Sequence, residues 1–145
     1  MEIKDLDKNL CFNASIFFRG IIKISNKNLS FLGLSSSYAF LIVVVKEKPG
    51  LRASELSRIL LLDLSTISRL IDKLENRKFV LRDSDHSGTK IYLTDLGKKA
   101  YDNVVIGLAD FQSDLKKVLR KKAIKEINRV LRSGISLIDE EAKDQ

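Results

Sequence analysis

Residues 51–97 read LRASELSRILLLDLSTISRLIDKLENRKFVLRDSDHSGTKIYLTDLG, and the order of patterns in this stretch decides the fold. Ala53 to Leu61 reads as a short helix with Leu56, Ile59 and Leu60 on one face. Asp63 can accept hydrogen bonds from the unpaired N–H groups of a following helix, which makes it a good N-cap for a helix from Leu64 to Arg77. In that second helix Ile67, Leu70, Ile71 and Leu74 recur at three- and four-residue steps and form a stripe to be buried. The opposite face carries Ser65, Thr66, Ser68, Arg69, Asp72 and Lys73. Two short helices joined by a few residues fit a helix-turn-helix. Phe79–Arg82 and Lys90–Leu93 then read as strands, joined by the polar turn Asp83–Gly88 into a hairpin. Helix, turn, helix and hairpin in this order make a winged helix-turn-helix.

Working outward, Leu6, Leu10, Ala14, Phe17, Phe18, Ile21 and Ile22 predict one amphipathic helix from Leu6 to Ile24. Phe31-Leu32-Gly33-Leu34 breaks it, and Ser35 caps a helix through about Lys46 that is apolar almost all round. Pro49-Gly50 is a turn. On the other side Thr94 caps a long helix to about Lys117. A last helix from about Ala123 to Ala142 carries Ile124, Ile127, Val130, Leu131, Ile135 and Ile138 as its stripe. The fold class is therefore mainly α with a small β-hairpin wing. The 145 residues suit one domain, 1–145, with a winged lobe at 51–97 and helical regions at 1–30 and 98–145.

Apolar residues make up 44% and charged residues 31%, an ordinary globular balance. The apolar run Ala39–Val45 is too short to cross a bilayer, and the start Met1-Glu2-Ile3-Lys4-Asp5 has no signal-peptide pattern, so a cytoplasmic location is expected, with no membrane partner. One cysteine cannot close an internal disulfide, and one cysteine with one histidine cannot supply a protein-only zinc site. No metal or other cofactor is expected. No phosphate loop, dinucleotide glycine fingerprint or catalytic constellation appears, and His86, the one histidine, lies in the polar hairpin turn, so no catalytic residue is assigned and an enzyme is not expected. The net charge of +7 suits a polyanionic partner. Lys116, Lys117, Arg120, Lys121, Lys122, Lys125, Arg129 and Arg132, against Glu126, hold as much surplus charge as the whole chain. This run reads as a solvated helix connection or as a second DNA-touching surface.

The segments Ala53-Ser54-Glu55-Leu56-Ser57-Arg58, Leu64-Ser65-Thr66-Ile67-Ser68-Arg69-Leu70-Ile71-Asp72-Lys73-Leu74-Glu75, Val80-Leu81-Arg82-Asp83 and Ile91-Tyr92-Leu93-Thr94-Asp95-Leu96-Gly97 together resemble the multiple antibiotic resistance regulator (MarR) family. The resemblance implies a homodimer that binds near-palindromic operator DNA and represses transcription, released by a small molecule or an oxidant, with the terminal helices forming the dimer. The chain departs from the family pattern at three places. Leu61 and Lys78 stand where the family has glycine, and the wing lacks the family's Asp-Arg pair near its tip.

The expected site follows from both readings. Ser65, Thr66, Ser68 and Arg69 face base edges, Arg69 being able to donate a bidentate pair to guanine. Lys73, Arg77, Arg82 and Lys90 face phosphates. Phe17, Tyr38 and Tyr101 are the residues expected to line the effector pocket that the resemblance implies. Leu10-Cys11-Phe12 resembles the reactive-cysteine segment of hydroperoxide sensors in the family, but no tyrosine stands nearby to hold a thiolate, so Cys11 reads either as a redox switch or as a packed, inert thiol. The alternative to a DNA-binding regulator is a helical partner-binding protein that kept the fold and lost operator binding.

Overall fold

A computed structural model describes residues 3–29, 33 and 35–141. The elements run α1 (Leu10–Leu29), α2 (Ser36–Glu47), α3 (Ala53–Leu60), α4 (Leu64–Asn76), β1 (Val80–Asp85), β2 (Gly88–Leu93), α5 (Asp95–Val118) and α6 (Lys121–Glu141). The chain divides into two compact units, the first ending at Phe111 and the second beginning at Gln112 within α5. Phe31, Leu32 and Leu34 of the expected break, and Ala142 at the expected end of the last helix, lie outside the described residues.

The expected first helix is divided. Ile3–Lys8 forms a 3-10 turn, and α1 starts only after Asn9, whose Oδ1 accepts the Phe12 N–H at 2.9 Å. A side-chain cap at Asn9 resets the chain although the apolar spacing of Leu6 and Leu10 continues across it. The helix then runs beyond Ile24 to Leu29. Ser35 occupies the N-cap of α2 without a side-chain bond; Asn26 Oδ1 instead accepts from the Ser36 N–H at 2.9 Å and so ties α1 to the start of α2.

The core of the first unit lies under α2. Leu41, Ile42 and Val45 pack with Leu29, Leu56, Ile67, Ile71, Leu74, Val80, Ile91 and Val104, all buried. Each α4 residue of the expected stripe is inside. Helix α3 is the exception to its own prediction, because Leu56 is buried but Ile59 is 44% exposed. In a helix of two turns Leu60, four residues after Leu56, stays over the core, whereas Ile59 falls to its margin.

The hairpin pairs Val80 with Leu93 through Asp85 with Gly88, leaving His86-Ser87 as a two-residue turn shorter than the expected loop. Leu51 extends this ladder as a single antiparallel bridge to Ile91. Gly50 permits it: its φ is +83°, and a Cβ there would stand 2.9 Å from the Tyr92 hydroxyl. Thr94 caps α5 as expected, its Oγ1 accepting the Gly97 N–H at 3.0 Å while donating to the Lys78 carbonyl at 2.5 Å. Gly97 makes this seating possible, since a Cβ would meet the Phe79 carbonyl oxygen at 1.9 Å.

Leu61 and Lys78, the two residues standing at family glycine positions, both keep left-handed backbone, with φ of +50° and +59°. The turns retain glycine geometry and carry side-chain strain instead. Lys78→Gly is expected to raise stability by about 0.5–1 kcal/mol, the relieved strain exceeding the added entropy of the unfolded chain. Urea unfolding of both proteins measures it; an unchanged or lower midpoint would contradict the strain.

Candidate nucleic-acid interface

The α3–α4 turn is locked from within. Leu61 turns left-handed, the Leu62 N–H donates to the Ser57 carbonyl at 3.2 Å, and Ser57 Oγ returns to the Leu62 carbonyl at 2.5 Å. With the α4 stripe anchored below, its other face must point outward. Ser65, Arg69, Asp72 and Lys73 are exposed there, and Thr66 and Ser68 are half-buried.

Asp63 caps α4 more extensively than a single cap bond requires. It accepts from Ser65 Oγ, from the Thr66 N–H at 2.8 Å and from Thr66 Oγ1 at 2.6 Å. The Ser65 and Thr66 hydroxyls and the Thr66 N–H hold its carboxyl well below the usual carboxylate range. Arg69 Nη2 donates to Thr66 Oγ1 at 3.3 Å, which joins the cap to the one guanidinium of the exposed α4 face. Lys73 places its ammonium 5.3 Å from the centroid of the Tyr38 ring. Arg77 is the exposed C-cap residue of α4.

The wing is built from paired charges. Arg82 on β1 donates to Asp72 at 2.5 Å and to Glu75, both on α4. Burial opposes its charge, but the Asp72 hydrogen bond and the two carboxylate fields outweigh it and raise its pKa further. Arg82, expected at a phosphate, thus clamps the hairpin to α4. Lys90 pairs with Asp85 at 3.1 Å, and hydrogen bonds from Ser87 and Lys90 lower the Asp85 carboxyl to about 2. Arg52, at the N-cap of α3, donates to the Ser87 carbonyl in the wing turn. Sequence reasoning missed this arginine and the Asp63 cluster. The Asp-x-Ser-Thr spacing was a usable signal for the cluster, whereas nothing local marks Arg52.

Of the remaining expected residues, Phe17, Tyr38 and Tyr101 stand on α1, α2 and α5. Phe17 is 39% exposed on α1, Tyr38 lies under Lys73, and Tyr101 lies 5.8 Å from the Lys46 ammonium. A cavity of about 240 Å³ in the first unit is lined by Val45, Lys46, Pro49, Tyr92, Leu93 and Lys98, and includes none of the three. Cys11 is exposed in the first turn of α1, so within one chain it is not the packed thiol of the alternative reading. Its carbonyl accepts from Ser15 Oγ at 2.7 Å. Lys117 pairs with Asp114, and Arg129 with Glu126, within the basic run of α5 and α6. Among the described residues no group of His, Cys, Asp and Glu is arranged to hold a metal ion, and no helix is long and apolar enough to cross a membrane.

Comparison with known proteins agrees with this geometry. A sequence model of the MarR family matches residues 32–88, which span α2, α3, α4, β1 and the first residue of β2. The HTH-type transcriptional regulator SarZ of Staphylococcus epidermidis is 29% identical over 101 residues, 68% of each chain. The uncharacterized HTH-type transcriptional regulator YybA of Bacillus subtilis is 31% identical over 86 residues, 57% of each. Among solved structures, CouR from Rhodococcus jostii RHA1 bound to p-coumaroyl-CoA has the same fold, with a TM-score of 0.75 at 22% identity, over 88% of this chain and 92% of that one.

The clamp yields a prediction. Arg82→Ala leaves Asp72 and Glu75 facing each other without their cation and should cost about 1 kcal/mol, with faster amide exchange confined to the hairpin. Exchange rates at β1 and β2 equal to those of the unaltered chain would contradict the clamp.

Proposed function

We propose that the chain is a MarR-family transcriptional regulator, a cytoplasmic repressor that binds a near-palindromic operator as a homodimer; the family model matched over residues 32–88 and the 29% identity to SarZ over 68% of the chain support this reading. The observation that carries this reading is the outward polar face of α4, held by a fully internal stripe. Helix α4 enters the major groove with Ser65, Thr66, Ser68 and Arg69 toward base edges. Lys73, Arg77 and Lys90 meet phosphates, and Arg82 orients the wing that carries Lys90. The winged lobe at 51–97 is the DNA-reading part. The helical regions at 1–30 and 98–145 form the dimer.

Apolar exposure supports the homodimer. Leu10 and Phe18 on α1 are 83% and 62% exposed, and Leu137 and Ile138 on α6 are 63% and 68% exposed. A second copy removes such surfaces from water. Release by a small molecule or an oxidant follows from the family. The relative CouR was solved bound to p-coumaroyl-CoA. For this chain the effector is proposed only as a small organic molecule sensed near Phe17, Tyr38 and Tyr101, and an exposed Cys11 is the one thiol an oxidant would meet.

Two measurements on an operator recovered from genomic fragments test the proposal. Arg69→Ala should lower the ratio of operator to scrambled-duplex affinity by about 10- to 100-fold at fixed salt, the worth of one bidentate base contact. An unchanged ratio would remove Arg69 from base readout. Half-sites read by a twofold dimer lie about 10 base pairs apart, so inserting five base pairs between them should reduce binding to the non-specific level. Full affinity for the spaced operator would contradict the dimer. Equal, weak affinity for every fragment would favour the partner-binding alternative.

A further inference from the structure

The hydroxyls at the start of α4 are not free rotors. Ser65 Oγ bonds Asp63 Oδ1, Thr66 Oγ1 bonds Asp63 Oδ2 at 2.6 Å, and Arg69 Nη2 bonds Thr66 Oγ1 at 3.3 Å. An ionised carboxylate has no proton to give, so the hydrogen in each bond to Asp63 belongs to the hydroxyl. The depressed pKa of Asp63 keeps it ionised throughout the neutral range. What Ser65 and Thr66 have left to offer a partner is therefore lone-pair density, one of the two Thr66 pairs being taken by Arg69. Arg69 is the donor set beside it.

In the major groove the base-edge donors are the exocyclic amino groups of cytosine N4 and adenine N6, while guanine and thymine oxygens and the purine N7 accept. Resting on the reading of α4 as the DNA-facing helix, we propose that Asp63 is a specificity-determining residue, which makes the first turn of α4 select an exocyclic amino group from cytosine or adenine. Asp63 does so by holding the Ser65 and Thr66 protons inward. Its own negative charge acts in the same sense, disfavouring a phosphate or an acceptor edge at this point of the surface. Arg69 takes the neighbouring guanine edge.

Asp63→Asn is the informative change. Asparagine caps helices as well as aspartate does, so α4 keeps its start. Its amide nitrogen, however, gives Thr66 Oγ1 a donor where it had an acceptor and turns the threonine proton outward. The experiment selects duplexes from a library with randomised half-sites, using the full chain as wild type, Asp63→Asn and Thr66→Val, with circular dichroism to check helix content. The wild type is expected to prefer cytosine or adenine at one half-site position by about tenfold, and sequencing distinguishes the two bases. Asp63→Asn should lose that preference or exchange it for guanine or thymine, at that position alone. Thr66→Val, which removes the hydroxyl without touching the carboxylate, should weaken it at the same position. An unchanged half-site from a helical Asp63→Asn protein, or from Thr66→Val, would overturn the proposal while leaving the DNA-binding reading intact. A wild type that enriches no sequence would overturn both.

Discussion

Burial of Ile67, Leu70, Ile71 and Leu74 beneath α2 and α3 is the constraint on which the site depends. A helix with a single apolar stripe has one orientation in which that stripe leaves water, and each such side chain favours it by roughly 1.5–3 kcal/mol. Once the stripe is seated, Ser65, Arg69 and Lys73 have no inward alternative. The same core fixes the wing, because Val80 and Ile91 of the hairpin join it and Thr94 then seats the start of α5 against the carbonyls that follow α4. The exposed face and its flanking hairpin are thus two consequences of one packed interior.

Charge pairing refines what packing establishes. Arg82 spans from β1 to Asp72 and Glu75, Lys90 folds onto Asp85, and Arg52 reaches the wing turn. Asp63 orders the first turn of α4 in the same way. Groups already held in place lose less freedom when a partner binds, so these bonds lower the ordering cost of recognition. They also leave the hairpin with few uncommitted cations, consistent with a wing that lacks the Asp-Arg pair of the MarR family. The contrast with α6 is marked: Lys121, Lys122, Lys125 and Arg132 are exposed, and its apolar residues Val130, Leu131 and Ile135 are at least half exposed in one chain.

The helices, the hairpin and the α4 stripe were legible in the sequence because periodicity is local and burial is strong. The caps at Asp63 and Thr94 were legible for the same reason. The start of α1 was not, since Asn9 interrupts the helix without interrupting the apolar spacing. The bridge at Leu51 involves one residue, and one residue has no period. Arg82 read as a phosphate contact because its partners lie seven and ten residues away on another element, beyond any local pattern. Ile59 was placed by helical spacing and Cys11 by the resemblance of its segment, while their exposure depends on which margin of a helix faces outward. The left-handed backbone at Leu61 and Lys78 was readable only against the glycines of the family, and the structure keeps the turns while changing the residues.

In the proposed function α4 and the wing together meet DNA. Amide chemical-shift mapping of the full chain, titrated with a duplex carrying its selected half-sites, tests it most directly. The largest shifts are expected from Ser65 to Lys73 and at the hairpin around Lys90, all falling away together as salt is raised. Shifts confined to Lys121–Arg132 of α6, with α4 undisturbed, would contradict it.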